Sequence, residues 1–124
     1  MLKTILLVAA GGAVGAILRY LVSLIPFGTA FPFATFFTNL VGAFLIGLIA
    51  GLLADNVLSK DAGSFLKTGV CGGFTTFSTF SLEAYNLLND GHPVLGGAYV
   101  VLSVGLAVVG VVLGLTLAKV LSTR

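Results

Sequence analysis

The sequence has very few charged side chains: six basic and four acidic residues among 124, or 8% of the chain. Because soluble domains carry about 25% charged residues, this composition excludes an ordinary soluble domain. The net charge of +2 is also too small, and its charges too scattered, for a nucleic-acid-binding surface. We therefore expect no nucleic-acid partner.

Residues used in metal binding and hydrolysis are also scarce. The chain has one cysteine (Cys71), one histidine, one methionine and no tryptophan. A single cysteine excludes an intrachain disulfide, and neither metal-ligand spacing nor a nucleophile–base pair is present. The sequence therefore does not predict an enzyme.

Long apolar runs dominate what remains, with 58% hydrophobic residues and a mean hydropathy of +1.18. A membrane-spanning helix needs about 20 predominantly apolar residues. Four segments meet this requirement, at about residues 2–24, 33–54, 64–88 and 94–118. The first run continues past its small residues to Leu18, which favours a first transmembrane helix over a signal peptide. The sequence predicts an all-α integral membrane protein with one four-helix domain over residues 1–124.

Each predicted span contains two glycines four residues apart: Gly11 and Gly15, Gly47 and Gly51, Gly69 and Gly73, and Gly110 and Gly114. Such pairs let helices approach closely in lipid. Ordinary helix packing is a sufficient explanation for most of them. Since four short spans cannot easily enclose an ion pathway, we expect the chain to oligomerise.

The third span contains an unusual polar cluster directly after Gly72 and Gly73. Five of the seven residues in 75–81 carry hydroxyl groups, and the other two are Phe77 and Phe80. Polar groups and broken helices persist at membrane depth only where protein or a cavity satisfies them. We therefore expect a helix break near Gly72–Thr79 and an ion site there. The alternatives are hydroxyls bonded to their own helix and aromatic rings that face lipid.

Several isolated polar residues interrupt the other apolar runs. Asn39 either joins two helices or donates hydrogen bonds to a passing ion. Arg19 either extends to the membrane surface or attracts anions. Tyr99 and Ser103 are four residues apart and share one helix face. Glu83 lies toward the end of the third span.

Taken together, the chain resembles the small dual-topology fluoride channels of bacteria, the Fluc or CrcB family. The resemblance covers the whole length and rests on four signatures: residues 11–16 with Arg19-Tyr20, residues 39–47, residues 72–81, and Tyr99 with Ser103. The third signature is the most specific.

This resemblance implies an antiparallel homodimer in the bacterial inner membrane that exports fluoride passively through two pores. By similarity, Phe77 and Phe80 form an aromatic box, and Asn39 is the neighbouring hydrogen-bond donor. The polar pore lining comprises Ser78, Thr79, Ser81, Tyr99 and Ser103. By the same similarity, the backbone carbonyls of Gly72 and Thr75 are expected to bind a central structural Na⁺, and Arg19 is expected to lie in the vestibule.

Two alternatives to a fluoride channel remain open, and one feature of the sequence departs from the family pattern. A four-span multidrug-type exporter would need an embedded carboxylate, for which Glu83 is the candidate. A structural subunit would have no pathway. The departure is a charge bias: Lys3, Lys60, Lys119 and Arg124 are all expected on one side, which favours cytoplasmic termini rather than dual insertion.

Overall fold

The computed structural model describes all 124 residues, and every regular element in it is helical. The helices are α1 (Leu2–Ser23), α2 (Phe33–Ala54), α3 (residues 60–74), α4 (Phe77–Asn89) and α5 (Pro93–Ser122). The predicted all-α class is confirmed.

Three of these helices, α1, α2 and α5, are long and apolar enough to cross a membrane. The chain is therefore a multi-pass membrane protein. The third predicted span corresponds to α3 and α4 together, and it begins at Lys60 rather than at Ser64. The fourth continues to Ser122, past the expected end at Ala118.

α3 is irregular along most of its length. It starts with one α-helical turn, Lys60–Gly63, at which the Ser59 hydroxyl accepts a 3.2 Å hydrogen bond from the Ala62 amide. The segment Ser64–Cys71 is a π-helix, and Gly72–Phe74 returns to α geometry. Because π-helices bond each amide five residues back, they are rare and concentrate at functional sites.

The helix ends at two extended residues. Thr75 has φ −82° and ψ 156°, and Thr76 has φ −151° and ψ 117°. The Thr76 hydroxyl then caps α4 by accepting a 3.2 Å hydrogen bond from the Thr79 amide. The break lies within the stretch in which the sequence predicts it.

Glycines set the distances between two pairs of helices. A Cβ atom on Gly11 of α1 would collide with the Phe65 carbonyl oxygen of α3. Likewise, a Cβ on Gly47 of α2 would collide with the Val111 carbonyl oxygen of α5. Small residues therefore let α1 pack on α3 and α2 pack on α5 at backbone contact.

The buried core lies where α2, α4 and α5 meet, and it consists of Phe36, Phe80, Ala84, Leu87 and Tyr99. Only 20 of the 124 residues are buried, and many large apolar side chains lie on the outside. A single chain therefore leaves most of its apolar surface to be covered by lipid or by another subunit.

Candidate ion pathway

The side chain of Asn39 is paired with the backbone of the helix break. Its Nδ2 donates a 3.1 Å hydrogen bond to the Thr76 carbonyl, and its Oδ1 accepts a 2.8 Å bond from the Thr76 amide. A carboxamide can donate and accept at the same time through its two terminal atoms. Asn39 thus supplies the partners that the broken helix no longer provides.

This pairing changes the hydrogen bonding of the preceding turn. In a continuous α-helix, the Thr76 amide would donate to the Gly72 carbonyl. It donates to Asn39 instead. Similarly, the Thr79 amide would donate to the Thr75 carbonyl but bonds the Thr76 hydroxyl. The carbonyls of Gly72 and Thr75 therefore both lose their helical donors.

A third carbonyl at the break has a charged partner. The Gly73 oxygen accepts a 3.1 Å hydrogen bond from Nε of Arg19. In a continuous α-helix, the Phe77 amide would be its donor. A guanidinium favours the negative end of a helix dipole. Arg19 is thus held against the end of α3.

One cavity lies on the α5 side of the break, with a volume of about 330 Å³. Its lining includes Asn39, Thr75, Thr76, Phe77, Phe80 and Ser103, and it is completed by Val104, Ala107 and Val108. We call it the aromatic cavity. It brings together four of the predicted pore residues from three helices.

The two phenylalanines of this cavity differ in exposure. Phe77 is 79% exposed and Phe80 is 8% exposed, although their ring centroids are only 5.8 Å apart. Phe80 also packs against Tyr99, with 5.1 Å between centroids. Phe80 is thus fixed by its neighbours, whereas the ring of Phe77 lies on the outside of the chain.

Ser103 contributes a hydroxyl without a partner. The residue is 7% exposed, and its Oγ forms no hydrogen bond. An unsatisfied buried hydroxyl costs about 1–3 kcal/mol. Such a group at the wall of a cavity is available to a ligand.

A second cavity, again of about 330 Å³, lies on the other side of the break. It is lined by Ala16, Arg19, Tyr20, Ser23, Ala34, Thr35, Thr38, Thr76, Thr79 and Glu83. We call it the polar cavity. Thr76 lines both cavities, so the break separates one from the other.

Tyr99 connects the walls of the two cavities. It is 0% exposed, and its hydroxyl donates a 2.7 Å hydrogen bond to Oε2 of Glu83. The other carboxylate oxygen, Oε1, accepts a 2.8 Å bond from the Thr35 hydroxyl. Glu83 is thus held by two neutral donors.

Comparison with known proteins identifies the family. Residues 6–115 match the family model described as "CrcB-like protein, Camphor Resistance (CrcB)". This chain belongs to the CrcB-like family. It is 50% identical over 119 residues to the "Fluoride-specific ion channel FluC" of Rhizobium meliloti (strain 1021), covering 93% of this chain and 95% of the relative. The protein of the same name from Chlorobaculum tepidum is 52% identical over 103 residues, or 81% of this chain and 82% of the relative.

Three predicted pore residues of this CrcB-like chain, Ser78, Ser81 and Tyr99, line neither cavity. Ser78 and Ser81 are exposed on α4. The Ser81 hydroxyl donates a 2.8 Å hydrogen bond to the Phe77 carbonyl of its own helix. For Ser81, the structure therefore shows the local back-bonding that the sequence left open as an alternative.

Sequence reasoning missed two residues of this CrcB-like chain that contribute to the polar cavity. Thr35 bonds Glu83, and Thr38 is almost fully buried and donates to the Thr35 carbonyl at 3.0 Å. Together with Asn39 they occupy positions i, i+3 and i+4 of α2, which share one helix face. This stripe of polar residues within an apolar span is the sequence feature that could have identified Thr35 and Thr38.

The two cavities present two kinds of favourable group to an anion: neutral hydrogen-bond donors and the edges of aromatic rings. The aromatic cavity has no charged residue in its lining, and the polar cavity has Arg19 and Glu83. Aromatic edges carry partial positive charge, and hydroxyls and amides donate hydrogen bonds. The site can therefore replace part of the hydration shell of a small anion.

Proposed function

We infer that this chain is a fluoride-selective channel that lets fluoride leave the cytoplasm passively. The observation that carries the proposal is the aromatic cavity, in which the Asn39 amide, the unpartnered Ser103 hydroxyl and the Phe80 ring surround one space. The family supports it, because the relatives reported above are named fluoride-specific ion channels. Those relatives are channels rather than enzymes.

Fluoride is a small, strongly hydrated anion, and entering a narrow path removes much of its hydration. Conduction requires binding that is strong enough for entry but weak enough for exit. Neutral donors such as those of Asn39 and Ser103 meet this requirement better than a fixed cation within the narrowest part. Arg19 lies in the separate polar cavity, where its charge can raise the local concentration of anions.

The functional unit in this proposal is an antiparallel homodimer in the bacterial cytoplasmic membrane, with α3 and α4 together making the fourth crossing. Phe77 supports the dimer, since its exposed ring would complete the pathway only against a second copy. The many exposed apolar residues are consistent with both lipid and subunit contacts. Each dimer would contain two pores, lined by residues of both copies.

A structural Na⁺ fits the backbone at the break. Gly72 and Thr75 have carbonyl oxygens that lose their helical donors, and unwound backbone carbonyls are the ligands that Na⁺ finds in broken membrane helices. Two copies would supply four such oxygens. When bound, the cation would offset the partial negative charge of these carbonyls where the copies meet.

The multidrug-type exporter has no comparable support. Its candidate carboxylate, Glu83, is held by Thr35 and Tyr99. The relatives reported above are named ion channels, and that name implies no coupling to protons. Passive conduction is the simpler account of the same residues.

Fluoride efflux from proteoliposomes tests the proposal. Purified protein should release fluoride when valinomycin balances the charge with K⁺, and should release chloride much more slowly. Protein-free liposomes are the control. Equal rates for the two halides, or no fluoride efflux, would contradict the proposal. Cysteine labelling of the 55–59 loop from both sides of native membranes tests the antiparallel dimer, because a single orientation would remove it.

A further inference from the structure

Asn39 takes part in two features of the proposed channel, the aromatic cavity and the helix break. Its carboxamide lines the aromatic cavity, and the same group is bonded to the Thr76 backbone. Only one of the two Nδ2 hydrogens is used in the bond to the Thr76 carbonyl. The second remains available on the group that faces the cavity.

The bond from the Thr76 amide to Asn39 has a competitor. Without the Asn39 oxygen, the helical acceptor of that amide would be the Gly72 carbonyl, four residues earlier. An amide buried at membrane depth must find an acceptor. Removal of the Asn39 acceptor therefore favours closure of the helix onto Gly72.

We propose that Asn39 is a positioning residue for the cation site: its Oδ1 holds the Thr76 amide away from Gly72 and leaves the Gly72 carbonyl free to bind Na⁺. This inference rests on the proposed Na⁺ site and extends it. Because the same carboxamide faces the anion path, Asn39 couples the two ions. Binding of Na⁺ and of fluoride must then affect each other by the same factor.

The test measures how Na⁺ stabilises the purified dimer against thermal unfolding, with N-methylglucamine replacing Na⁺ at constant ionic strength. A ligand that binds only the folded state raises the unfolding midpoint with concentration. Asn39→Leu removes the acceptor. We expect the Na⁺ concentration that gives half of the maximal rise in the unfolding midpoint to increase by about tenfold, because one hydrogen bond is worth about that factor.

Two variants separate positioning from general destabilisation. Asn39→Asp keeps an acceptor for the Thr76 amide but has no amide donor, so it should retain the Na⁺ response and lose fluoride efflux. Leu87→Ala leaves the break untouched and opens a cavity in the buried core where α2, α4 and α5 meet. It should lower the unfolding midpoint and leave the Na⁺ response unchanged.

A wild-type Na⁺ response in Asn39→Leu, or its loss in Asn39→Asp, would overturn the inference. If Asn39→Leu does not fold, the Asn39 side-chain amide resonance of ¹⁵N-labelled wild-type protein provides the second test. The chemical shift of this resonance should change as Na⁺ is added, with the same midpoint Na⁺ concentration as the thermal response. A resonance that does not move would contradict the coupling.

Measurements on the wild-type protein distinguish failure of the proposed channel function from failure of the proposed cation site. Fluoride efflux without any Na⁺-dependent stabilisation would overturn the cation site and this inference but leave the channel function standing. Absence of fluoride efflux would overturn the proposed function itself.

Discussion

The hydroxyl of Tyr99 bonds Glu83 at 2.7 Å, while the ring of Tyr99 packs on Phe80 with 5.1 Å between centroids. One fully buried side chain therefore fixes both an aromatic wall of one cavity and a carboxylate of the other. Changes at Tyr99 are expected to affect conduction even though it lines neither cavity directly.

Tyr99→Phe keeps the ring and removes the hydroxyl. It leaves one oxygen of Glu83 without its donor, so we expect the folded protein to lose about 1–3 kcal/mol of stability and fluoride efflux to slow. Thermal unfolding and proteoliposome efflux measure the two effects. Tyr85→Phe, at an exposed position of α4, is the matched control and should change neither. Equal effects of the two substitutions would contradict the role given to Tyr99.

Ser103→Ala should separate stability from conduction. Because the Ser103 hydroxyl is buried without a partner, its removal is expected to leave the protein as stable or to stabilise it by about 1 kcal/mol. Fluoride efflux should nevertheless fall, since the pathway loses a donor. Ser81→Ala removes a hydroxyl that is bonded within its own helix and should leave efflux unchanged. Undiminished efflux in Ser103→Ala would exclude Ser103 from the pathway.

Phe80→Ile replaces the buried ring with an aliphatic side chain. The positive ring edge and the contacts with Phe77 and Tyr99 are lost together, and we expect fluoride efflux to fall by about tenfold or more. Phe37→Ile makes the same chemical change at a half-exposed ring outside both cavities. If the two variants conduct equally well, the Phe80 ring has no part in conduction.

Glu83→Gln distinguishes a channel from a proton-coupled exporter. Glutamine keeps polar atoms near Thr35 and Tyr99 but cannot carry a proton between solutions. Efflux from the variant should therefore persist, within about threefold of the wild-type rate. An imposed proton gradient should not drive transport in either protein. Loss of all transport in the variant, together with wild-type transport that follows the proton gradient, would favour the exporter.

The sequence predicted the helical class and the position of the break, because both depend on local composition. The grouping of Asn39, Phe77, Phe80 and Ser103 came from the family resemblance, and their roles in a pore stay predictions. Apolar runs of sufficient length define the helices. Hydroxyl-bearing residues after a glycine pair mark a break, since the freed backbone needs partners. Thr76 at the cap of α4 is a direct example.

The partners of the polar residues were less accessible to sequence reasoning, because they depend on which helices pack together. Asn39 and Thr76 are separated by 37 residues, Thr35 and Glu83 by 48, and Arg19 and Gly73 by 54. No periodicity within one helix indicates such pairs. Composition also cannot distinguish Ser103, which has no partner, from Ser81, which bonds its own helix.

The most direct test of passive fluoride conduction is the reversal potential of wild-type protein in a planar bilayer with a fluoride gradient and equal chloride on both sides. The account predicts a current that reverses at the equilibrium potential of fluoride and stays there when a proton gradient is added. A reversal potential set by chloride or by protons, or no current at all, would contradict it.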